Sequence, residues 1–354
     1  LICFAIKSNT NVNLVKEIKK FGLGADVVSA GELMLAIKAG INPKKIVFSG
    51  VGKTSNEINY AISKKILLIN AESKSEIQEI NRIAKLRKIK VQIGIRLNPN
   101  TDAKTLSQIS TGKKENKFGV NSKIFLDLVD YCKKSKNIEL KCLSVHIGSQ
   151  ILDYKPYEKM LRVIGKIIDK SKHHFKFIDL GGGMGISYND ENKKLNYRKY
   201  NVAIKKFLKN YKSKIIFEPG RSIIGSTGTL ISKIIYIKES NKKKFIILDA
   251  AMNDFMRPAL YGANHKTLPV TKTTKQSKKP LEFVGPICET TDRFITLKKF
   301  QEINEKDLIA ICDVGAYGMS LSSNYNLRPK PTELLIKGSK IRVIRKRQKH
   351  KDLI

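Results

Sequence analysis

The sequence predicts an α/β protein: a (β/α)8 TIM barrel followed by a smaller, mostly β C-terminal domain. Over the first 220 residues, short apolar runs rich in β-branched residues alternate eight times with stretches whose apolar residues recur at helical spacing. Eight strand–helix repeats over this length are typical of a barrel of parallel strands. After about residue 222 the helical spacing weakens and hairpin-like patterns replace it. We therefore expect the barrel over residues 1–222 and the β-rich domain over residues 223–354.

The eight predicted barrel strands are short and apolar, and each ends in polar or glycine residues. They are Cys3–Lys7, Ala25–Ser29, Lys45–Ser49, Ile66–Asn70, Val91–Leu97, Lys141–Gly148, Lys176–Leu180 and Lys214–Glu218. Apolar residues three or four apart predict the helices between them, for example after Asn121 or Ser122, either of which suits a helix N-cap. A doubly wound open sheet is the alternative fold. The eight repeats, and the lack of a G-x-G-x-x-G motif after the first strand, count against it.

The C-terminal region carries several short strand patterns, which favour a hairpin-rich domain. The predicted strands are Gly225–Ile231, Lys233–Lys238, Phe245–Leu248, Leu281–Val284, Leu308–Ile311 and Lys340–Ile344. The segment His265–Pro280 is polar and basic, and we expect it to be a surface loop without regular structure.

The composition argues against several classes of protein. The 354 residues are 41% hydrophobic, which is enough for one large domain and one smaller one. No apolar run reaches the roughly 20 residues that a membrane-spanning helix needs, so we expect no membrane partner. The five cysteines are odd in number and show no C-x-x-C spacing, which argues against disulfides and a metal site. They favour a reducing compartment, and we expect a cytoplasmic protein.

The net charge of +37 is the most unusual property of the chain. Such a charge would suit nucleic acid or an anionic membrane surface. However, the lysines are spread over the whole chain, and aromatic residues are not interleaved with them as base stacking would require. We therefore interpret the charge as solvated surfaces rich in lysine, and we expect no specific nucleic-acid partner.

Polar side chains follow the predicted barrel strands, and the carboxyl ends of parallel strands meet at one face of a barrel. The set comprises Lys7, Ser29, Ser49, Arg96, His146, Ser149, Asp179, Gly181–Gly183, Glu218 and Arg221. A single histidine or arginine usually has a structural role, but so many polar residues at matching strand ends predict an active site. Lys7 is the only amine at the end of the first strand, and we expect it to bind an aldehyde cofactor covalently.

Two glycine-containing turns predict a phosphate site. The run Gly181–Gly185 follows the seventh strand and exposes backbone amides that suit an anion. Gly220 and Arg221 follow the eighth strand and add a second glycine and a cation. A glycine run alone is a weak signal because it also permits a tight turn. Two such turns on neighbouring strands make phosphate binding the better interpretation.

Several motifs resemble a known family, the alanine-racemase-type (fold type III) pyridoxal-phosphate decarboxylases of basic amino acids. These motifs are Ala5–Asn9, His146–Ser149, Asp179–Gly183 and Glu218–Arg221. Within that family, further motifs make the chain most similar to the decarboxylases that act on diaminopimelate. They are Arg257–Tyr261, Gly285–Glu289, Gly315–Met319, and Ser110–Gly112 with Lys117–Gly119. The resemblance implies a pyridoxal 5′-phosphate enzyme that decarboxylates meso-2,6-diaminopimelate to L-lysine and CO2, the last step of lysine biosynthesis.

The resemblance also implies which residues bind the cofactor. The set is Lys7, Arg96, His146, Ser149, Gly183, Glu218, Pro219, Gly220, Arg221 and Tyr317. Lys7 would hold the aldehyde, Glu218 would keep the pyridine nitrogen protonated, and His146 would lie against the ring. Arg96 would lie near the ring oxygen, and most of the others would hold the phosphate. A protonated ring is the electron sink that loss of CO2 needs.

Substrate and catalytic roles follow from the same resemblance. The implied substrate-binding residues are Arg221, Arg257, Tyr261, Glu289 and Tyr317. The arginines suit the distal carboxylate and Glu289 the distal amine. The implied catalytic residues are Lys7, His146 and Cys288, with Cys288 donating a proton after CO2 leaves. In the family, Cys288 and Glu289 would reach the active site of a partner subunit, so a homodimer with shared active sites is implied.

Three alternatives stay open. A decarboxylase of ornithine or arginine would share the barrel, but its substrate has no distal carboxylate for paired arginines to bind. A relative that binds pyridoxal phosphate without catalysis would share the cofactor site, and a nucleic-acid binder would explain the charge. The chain also begins with leucine, and only six residues precede Lys7. We therefore expect that a segment present in family members is missing at the start.

Overall fold

The computed structural model describes residues 1–103, 111–112, 116–188 and 193–354. The chain divides into two compact units, one of Leu1–Ile186 and Lys193–Ser222, the other of Ser187–Asn192 and Ile223–Ile354. Ser110, part of a motif noted in the sequence, lies outside the described residues. No helix within those ranges is both long and apolar enough to cross a membrane.

The first unit is a barrel of eight parallel strands that pair in sequence order. They are β1 (Cys3–Ala5), β2 (Gly24–Val27), β3 (Ile46–Phe48), β4 (Leu68–Ala71), β5 (Val91–Arg96), β6 (Ile138–Ser144), β7 (Phe177–Asp179) and β8 (Lys214–Ile216). Ile2 pairs in parallel with Phe217, just beyond β8. The amides of Cys3 and Ala5 donate to carbonyls of Phe217 and Pro219, which closes the sheet. The predicted (β/α)8 barrel is therefore confirmed, and the open sheet is excluded.

Helices follow the strands, and several begin at side-chain caps. The described α-helices of this region are α1 (Val12–Lys19), α2 (Ala30–Lys38), α3 (Ser55–Ser63), α4 (Lys74–Leu86), α5 (Ser122–Lys134), α6 (Lys155–Ser171), α7 (Tyr197–Leu208) and α8 (Arg221–Ile224). Asn121 caps α5, as predicted, by accepting the Ile124 amide at 3.0 Å. Thr54 and Glu57 form a reciprocal capping box at α3. The caps fix where each helix starts, and so where the preceding strand end lies.

The second unit contains a six-stranded sheet, a hairpin and one short α-helix, α9 (Arg257–Tyr261). The sheet strands are β9 (Thr229–Glu239), β10 (Lys244–Leu248), β11 (Thr267–Pro269), β12 (Leu281–Val284), β13 (Arg293–Leu297) and β14 (Leu308–Cys312), and the hairpin is β15 (Glu333–Lys337) with β16 (Lys340–Arg345). The sheet order is β11-β14-β9-β10-β12-β13. Phe255, Phe283 and Ile309 are among the buried core residues. The mostly β character predicted for this region is confirmed.

The prediction of two strands at the start of this unit is wrong. Gly225–Thr227 is a 3-10 turn, and one continuous strand, β9, begins at Thr229. Ser232, which separated the two predicted strands, lies inside β9 and donates its hydroxyl to Asp249 Oδ1 at 2.6 Å. A buried serine whose hydroxyl has a hydrogen-bond partner continues a strand, whereas the same residue exposed would favour a turn.

The prediction of an unstructured loop over His265–Pro280 is also wrong in part. His265 is buried, and Thr267–Pro269 pairs with β14. A strand of three residues is too short to show an alternation of apolar and polar residues, and the neighbouring polar residues favoured the prediction of a loop. Strands β13 and β15 were not predicted either.

Candidate active site

Lys7 lies in a 3-10 turn, Ile6–Ser8, directly after β1. Its Nζ lies 3.2 Å from Oδ2 of Asp26, whose side chain is completely buried, whereas the Lys7 side chain is 40% exposed. Asp26 belongs to β2, which is buried at every residue. The charge-assisted contact fixes the amine while leaving it accessible. The amine therefore lies at the strand end where barrel enzymes place their chemistry.

The half-buried carboxyl of Glu32 lies near enough to this ion pair for both charges to change its pKa. Glu32 is in the first turn of α2, and its Oε2 accepts the Val28 amide at 2.9 Å. Burial is the main cause that raises the pKa of Glu32 from 4.5 to about 7. The charge of Asp26 raises the pKa further, and that of Lys7 lowers it. Glu32 was not among the residues predicted from sequence.

The folded protein therefore binds the Glu32 proton more tightly than the unfolded chain does. The free energy of unfolding should fall as pH rises from 4.5 through about 7. This shift corresponds to roughly 3 kcal/mol. Glu32→Gln should remove that part of the pH dependence, which urea unfolding of both proteins below and above this range would measure. A variant with the same pH dependence as the original chain would contradict a protonated Glu32.

Asp179, at the end of β7, is a buried carboxyl held by three donors. Its Oδ1 accepts the Gly181 amide at 2.9 Å. Its Oδ2 accepts Asn70 Nδ2 at 2.9 Å and Ser144 Oγ at 3.3 Å. Hydrogen bonds to the charged form favour that form. Asp179 is therefore well suited to remain a carboxylate despite its burial.

Glu218 follows β8 and is buried beside Asp179. Its Oε1 accepts Ser49 Oγ at 3.3 Å. Burial, and then the charges of Asp179 and Asp26, raise the pKa of Glu218 well above its usual value, while the charge of Lys7 acts in the opposite direction. Because Asp179 already accepts three hydrogen bonds, we place the proton of this pair on Glu218.

Arg96, at the end of β5, is paired and stacked. Its Nη1 donates to Glu72 Oε1 at 3.0 Å, and both side chains are buried. Glu72 also accepts the amides of Gly50 at 3.2 Å and Gly119 at 2.8 Å. The guanidinium lies 4.8 Å from the centre of the Phe118 ring. Glu72 therefore fixes the arginine, a role that was not predicted from sequence.

His146 follows β6, and its Nδ1 accepts the Gly182 amide at 3.1 Å. Burial lowers the pKa of His146 well below its usual value, and the charges of Arg96 and Lys7 lower it further. The imidazole is therefore neutral, with its proton assigned to Nε2 because Nδ1 is an acceptor. A neutral flat ring suits packing against an aromatic ring better than a charged one would.

The triple-glycine turn is packed too closely for side chains. Gly181 and Gly183 have φ values of +64° and +88°. A Cβ on Gly182 would lie 2.1 Å from the Glu218 carbonyl oxygen, and one on Gly183 would lie 2.2 Å from the carbonyl oxygen of Gly148. Glycine is needed here for both reasons. The turn thereby brings His146 and Glu218 to the same end of the barrel.

Arg221 and Ser149 lie together near this turn. Arg221 is buried, and its Nη2 donates to Ser149 Oγ at 3.2 Å. The preceding Gly220 lies against the Lys7 turn, because a Cβ there would be 2.9 Å from that of Ser8. Pro219 accepts the Ala5 amide at 3.1 Å. The segment after β8 is thus attached to the segment after β1.

Five of the sequence-predicted site residues lie in the second unit: Arg257, Tyr261, Cys288, Glu289 and Tyr317. Arg257 is buried, and its Nη1 contacts Tyr188 Oη at 2.9 Å and His265 Nε2 at 2.8 Å. Its guanidinium also lies 4.9 Å from the centre of the Tyr188 ring. Tyr261 ends α9, and Tyr317 has a positive φ of +58°. These contacts hold Arg257 in a defined orientation.

Cys288 and Glu289 are exposed on a short loop of the second unit. Asp292 shapes this loop by accepting the Ile287 amide at 2.8 Å and the Met252 amide at 2.7 Å. Glu289 Oε1 accepts Tyr325 Oη at 2.5 Å. The thiol is therefore displayed by a structured loop and is accessible to solvent.

Nine of the predicted site residues lie in the first unit: Lys7, Arg96, His146, Ser149, Gly183, Glu218, Pro219, Gly220 and Arg221. Ser29, in the wider strand-end set, instead caps α2 by accepting the Glu32 amide at 3.2 Å. Asp26, Asn70 and Glu72 were not predicted. A signal for them exists in the sequence, because each is a polar residue within or at the end of an apolar run.

The groups of the first unit fit pyridoxal phosphate. The amine of Lys7 suits an aldehyde, and the protonated carboxyl of Glu218 suits a ring nitrogen. The neutral ring of His146 suits an aromatic face, and Arg221 with Ser149 suits a phosphate. No group of His, Cys, Asp or Glu side chains in the described ranges is arranged to hold a metal ion.

Comparison with known proteins agrees with this fit. Residues 1–225 match the family described as pyridoxal-dependent decarboxylase, pyridoxal binding domain. The chain is 42% identical to a diaminopimelate decarboxylase of Aquifex aeolicus, over 99% of this chain and 84% of the relative. It is 44% identical to one from Helicobacter pylori strain J99, over 100% of this chain and 88% of the relative.

Solved structures similar to this chain belong to the same family. A crystal structure of diaminopimelate decarboxylase from Helicobacter pylori complexed with L-lysine matches with a TM-score of 0.95 and 44% identity. The match covers 100% of this chain and 89% of that one. The chain therefore belongs to the diaminopimelate decarboxylases, a family of carboxy-lyases that depend on pyridoxal phosphate.

Proposed function

We propose that this chain decarboxylates meso-2,6-diaminopimelate to L-lysine and CO2, with its active site at the carboxyl ends of the barrel strands. The observation that carries the proposal is the grouping of Lys7, His146 and Glu218 at one end of the barrel, in a chain more than 40% identical to diaminopimelate decarboxylases. The Gly182 amide donates to His146 Nδ1, the Glu218 carbonyl lies against Gly182, and Pro219 accepts the Ala5 amide just before Lys7, so the three lie at the same end of the barrel. This reaction is the last step of lysine biosynthesis.

Pyridoxal phosphate supplies an aldehyde that captures an amino acid and a ring that accepts electrons as CO2 leaves. Lys7 would bind the aldehyde beside the carboxylate of Asp26. Glu218 would face the ring nitrogen, and His146 would lie against the ring. Arg96, held by Glu72, would lie on the ring-oxygen side. The remaining cofactor-binding residues, Ser149, Gly183, Pro219, Gly220, Arg221 and Tyr317, would enclose the phosphate.

The distal end of the substrate determines which amino acid is accepted. Arg221 and Arg257, with Tyr261 and Tyr317, would bind the distal carboxylate, because a guanidinium matches a carboxylate in shape and charge. Arg257 supports this role because it is buried and held by aromatic and histidine contacts. Glu289 would bind the distal amine. Ornithine and arginine lack the distal carboxylate, so buried arginines would be left without their anion.

The chain would work as a homodimer in which Cys288 and Glu289 serve the partner's active site. Two observations support this. The Cys288 thiol is exposed. The hairpin β15–β16 presents two cross-strand apolar pairs, Leu334–Val343 and Ile336–Ile341, each residue at least 53% exposed. A two-stranded hairpin with an exposed apolar face is stabilised by a partner. The five free cysteines also suit the reducing cytoplasm.

The direct test is an assay of purified protein with pyridoxal phosphate and meso-diaminopimelate. Release of CO2 with formation of L-lysine is expected, and turnover of L-ornithine and L-arginine should be far lower. A protein that shows the visible absorbance of bound cofactor but releases no CO2 from any of these substrates would be a binder without catalysis. Preferred turnover of ornithine or arginine would contradict the proposed substrate.

Mixing two inactive variants would test the shared active site. Cys288→Ala should lower turnover strongly, because the carbon that loses CO2 would lack its proton donor. Lys7→Ala and Cys288→Ala chains, dissociated and reassembled together, should recover about a quarter of the original activity, since half the dimers are mixed and each has one intact site. Mixed chains that recover no activity despite forming dimers would place Lys7 and Cys288 of one site on the same chain.

A further inference from the structure

A buried hydrogen-bond network connects Glu218 to the interior of the barrel. Asn70, on β4, donates its Nδ2 to Asp179 Oδ2 at 2.9 Å and to the hydroxyls of Ser49 and Ser144, both at 3.3 Å. Ser49 in turn donates to Glu218 Oε1 at 3.3 Å. Asn70 and Asp179 are completely buried. The asparagine therefore contacts Asp179 directly and Glu218 through Ser49.

The neighbouring strand makes room for the Asn70 amide with a glycine. A Cβ on Gly94 of β5 would lie 2.1 Å from Asn70 Oδ1 and 3.0 Å from Cys142 Cβ. A glycine inside a strand often marks the close approach of another group. Asn70 Oδ1 has no hydrogen-bond partner among the described residues. The Asn70 side chain is thus held through its Nδ2 group, which donates to the carboxylate of Asp179.

This arrangement decides where a proton resides. Asp179 and Glu218 are linked through Asn70 and Ser49, and two buried carboxylates so linked repel each other unless one of them carries a proton. Three donors already point at Asp179, so it is the carboxylate. Ser49 occupies Glu218 Oε1, which leaves Oε2 to carry the proton. The other titratable groups that face Glu218 are Lys7 after β1, Cys3 of β1, Asp26 of β2 and Cys142 of β6.

We propose that Asp179 and Asn70 are positioning residues that keep a proton on Glu218 before the cofactor binds, an inference that rests on the cofactor site proposed above. Glu218 would give this proton to the ring nitrogen when the cofactor enters: its O–H bond would break, an N–H bond would form on the nitrogen lone pair, and Glu218 would remain as a carboxylate. The barrel would then need no proton from solvent at this position.

Infrared difference spectra of the cofactor-free protein would test the first part. The spectrum of the original chain minus that of Glu218→Gln should show the C=O stretch of a protonated carboxyl at neutral pH. Asp179→Asn should lose this band, because a neutral neighbour lets Glu218 ionise. Asp254→Asn, which changes a buried carboxyl of the second unit, is the control and should keep it. Absence of the band in the original chain, or its persistence in Asp179→Asn, would overturn the proposal.

Proton counting during cofactor binding would test the second part. Calorimetric titration with pyridoxal phosphate in buffers of different ionisation enthalpy gives the number of protons taken up. Asp179→Asn should take up about one proton more than the original chain, because its Glu218 begins ionised. Equal counts would overturn the proposal. If Asp179→Asn does not fold, Asn70→Leu, which removes the donors at similar volume, should move the proton towards Asp179 and shift the band.

These measurements separate the proposal from the proposed function. The infrared band requires neither cofactor nor substrate, and the proton count requires only binding. If both expected results were obtained but no CO2 were released, the role of Asp179 and Asn70 would stand and the proposed function would be wrong. If CO2 were released but the band were absent and the proton counts were equal, the function would stand and the role of Asp179 and Asn70 would be wrong.

Discussion

Replacing Lys7 with alanine should lower CO2 release from meso-diaminopimelate by roughly a thousandfold or more, because it removes the amine proposed to bind the aldehyde. In the described residues Lys7 is the amine that follows β1 and contacts the buried Asp26. The barrel itself should remain folded, since the Lys7 side chain is 40% exposed and fills no core space. Turnover, the visible absorbance of the cofactor and the far-ultraviolet circular dichroism measure these three expectations.

Two further variants distinguish the proposed binding of the aldehyde by Lys7 from the effect of its positive charge. Lys7→Arg keeps a cation beside Asp26, but a guanidinium stays charged and cannot bind an aldehyde. It should therefore be as inactive as Lys7→Ala. Lys45→Ala removes an exposed lysine that only donates to the Gly22 carbonyl, and it should keep full activity. Lysine formation that survives Lys7→Ala, or full activity in Lys7→Arg, would contradict the role of Lys7.

The barrel could be predicted because its signals are local. Each strand is a short apolar run, each helix has apolar residues three or four apart, and the two patterns alternate eight times. Once the strands are parallel and in order, the residues that follow them must meet at one end. Lys7, His146 and Glu218 could therefore be assigned to one site although more than 200 residues separate the first from the last.

The partners of those residues could not be predicted in the same way. Asn70 and Asp179 are 109 positions apart, and their contact depends on side chains that point into the barrel from strands that do not pair. A polar residue at the end of an apolar run signals a buried contact, but it does not identify the partner. The same limit applies to Glu72, which pairs with Arg96 across 24 positions and accepts the Gly119 amide across 47.

Four predicted strands of the second unit are confirmed, namely Phe245–Leu248, Leu281–Val284, Leu308–Ile311 and Lys340–Ile344. Strands β11, β13 and β15 of that unit were missed for a different reason. Its strands expose many residues, and the hairpin β15–β16 exposes most of its apolar side chains. Alternation of apolar and polar residues arises when one face of a sheet is buried and the other is not. Where the apolar face is not covered within the chain, hydrophobic pattern and burial no longer agree.

Arg257→Ala should lower kcat/KM for meso-diaminopimelate by about a hundredfold to a thousandfold, because truncating one member of a buried, hydrogen-bonded charge pair costs about 2–5 kcal/mol. The guanidinium is buried and held by Tyr188 and His265, so its orientation is fixed before substrate arrives. The slow turnover of L-ornithine, which has no distal carboxylate, should not fall. Steady-state kinetics on both substrates measure the change in their ratio.

The ratio matters because Arg257 also has a structural role in its contacts with Tyr188 and His265. Loss of those contacts alone would weaken folding of the second unit and reduce turnover of both substrates together. Arg293→Ala is the matched control: Arg293 belongs to the same unit, pairs with Glu282 at 3.5 Å, and is largely exposed. Arg293→Ala should change the turnover of neither substrate. A fall in both activities after Arg257→Ala, with a lowered unfolding temperature, would assign Arg257 to the fold and leave the distal carboxylate to Arg221.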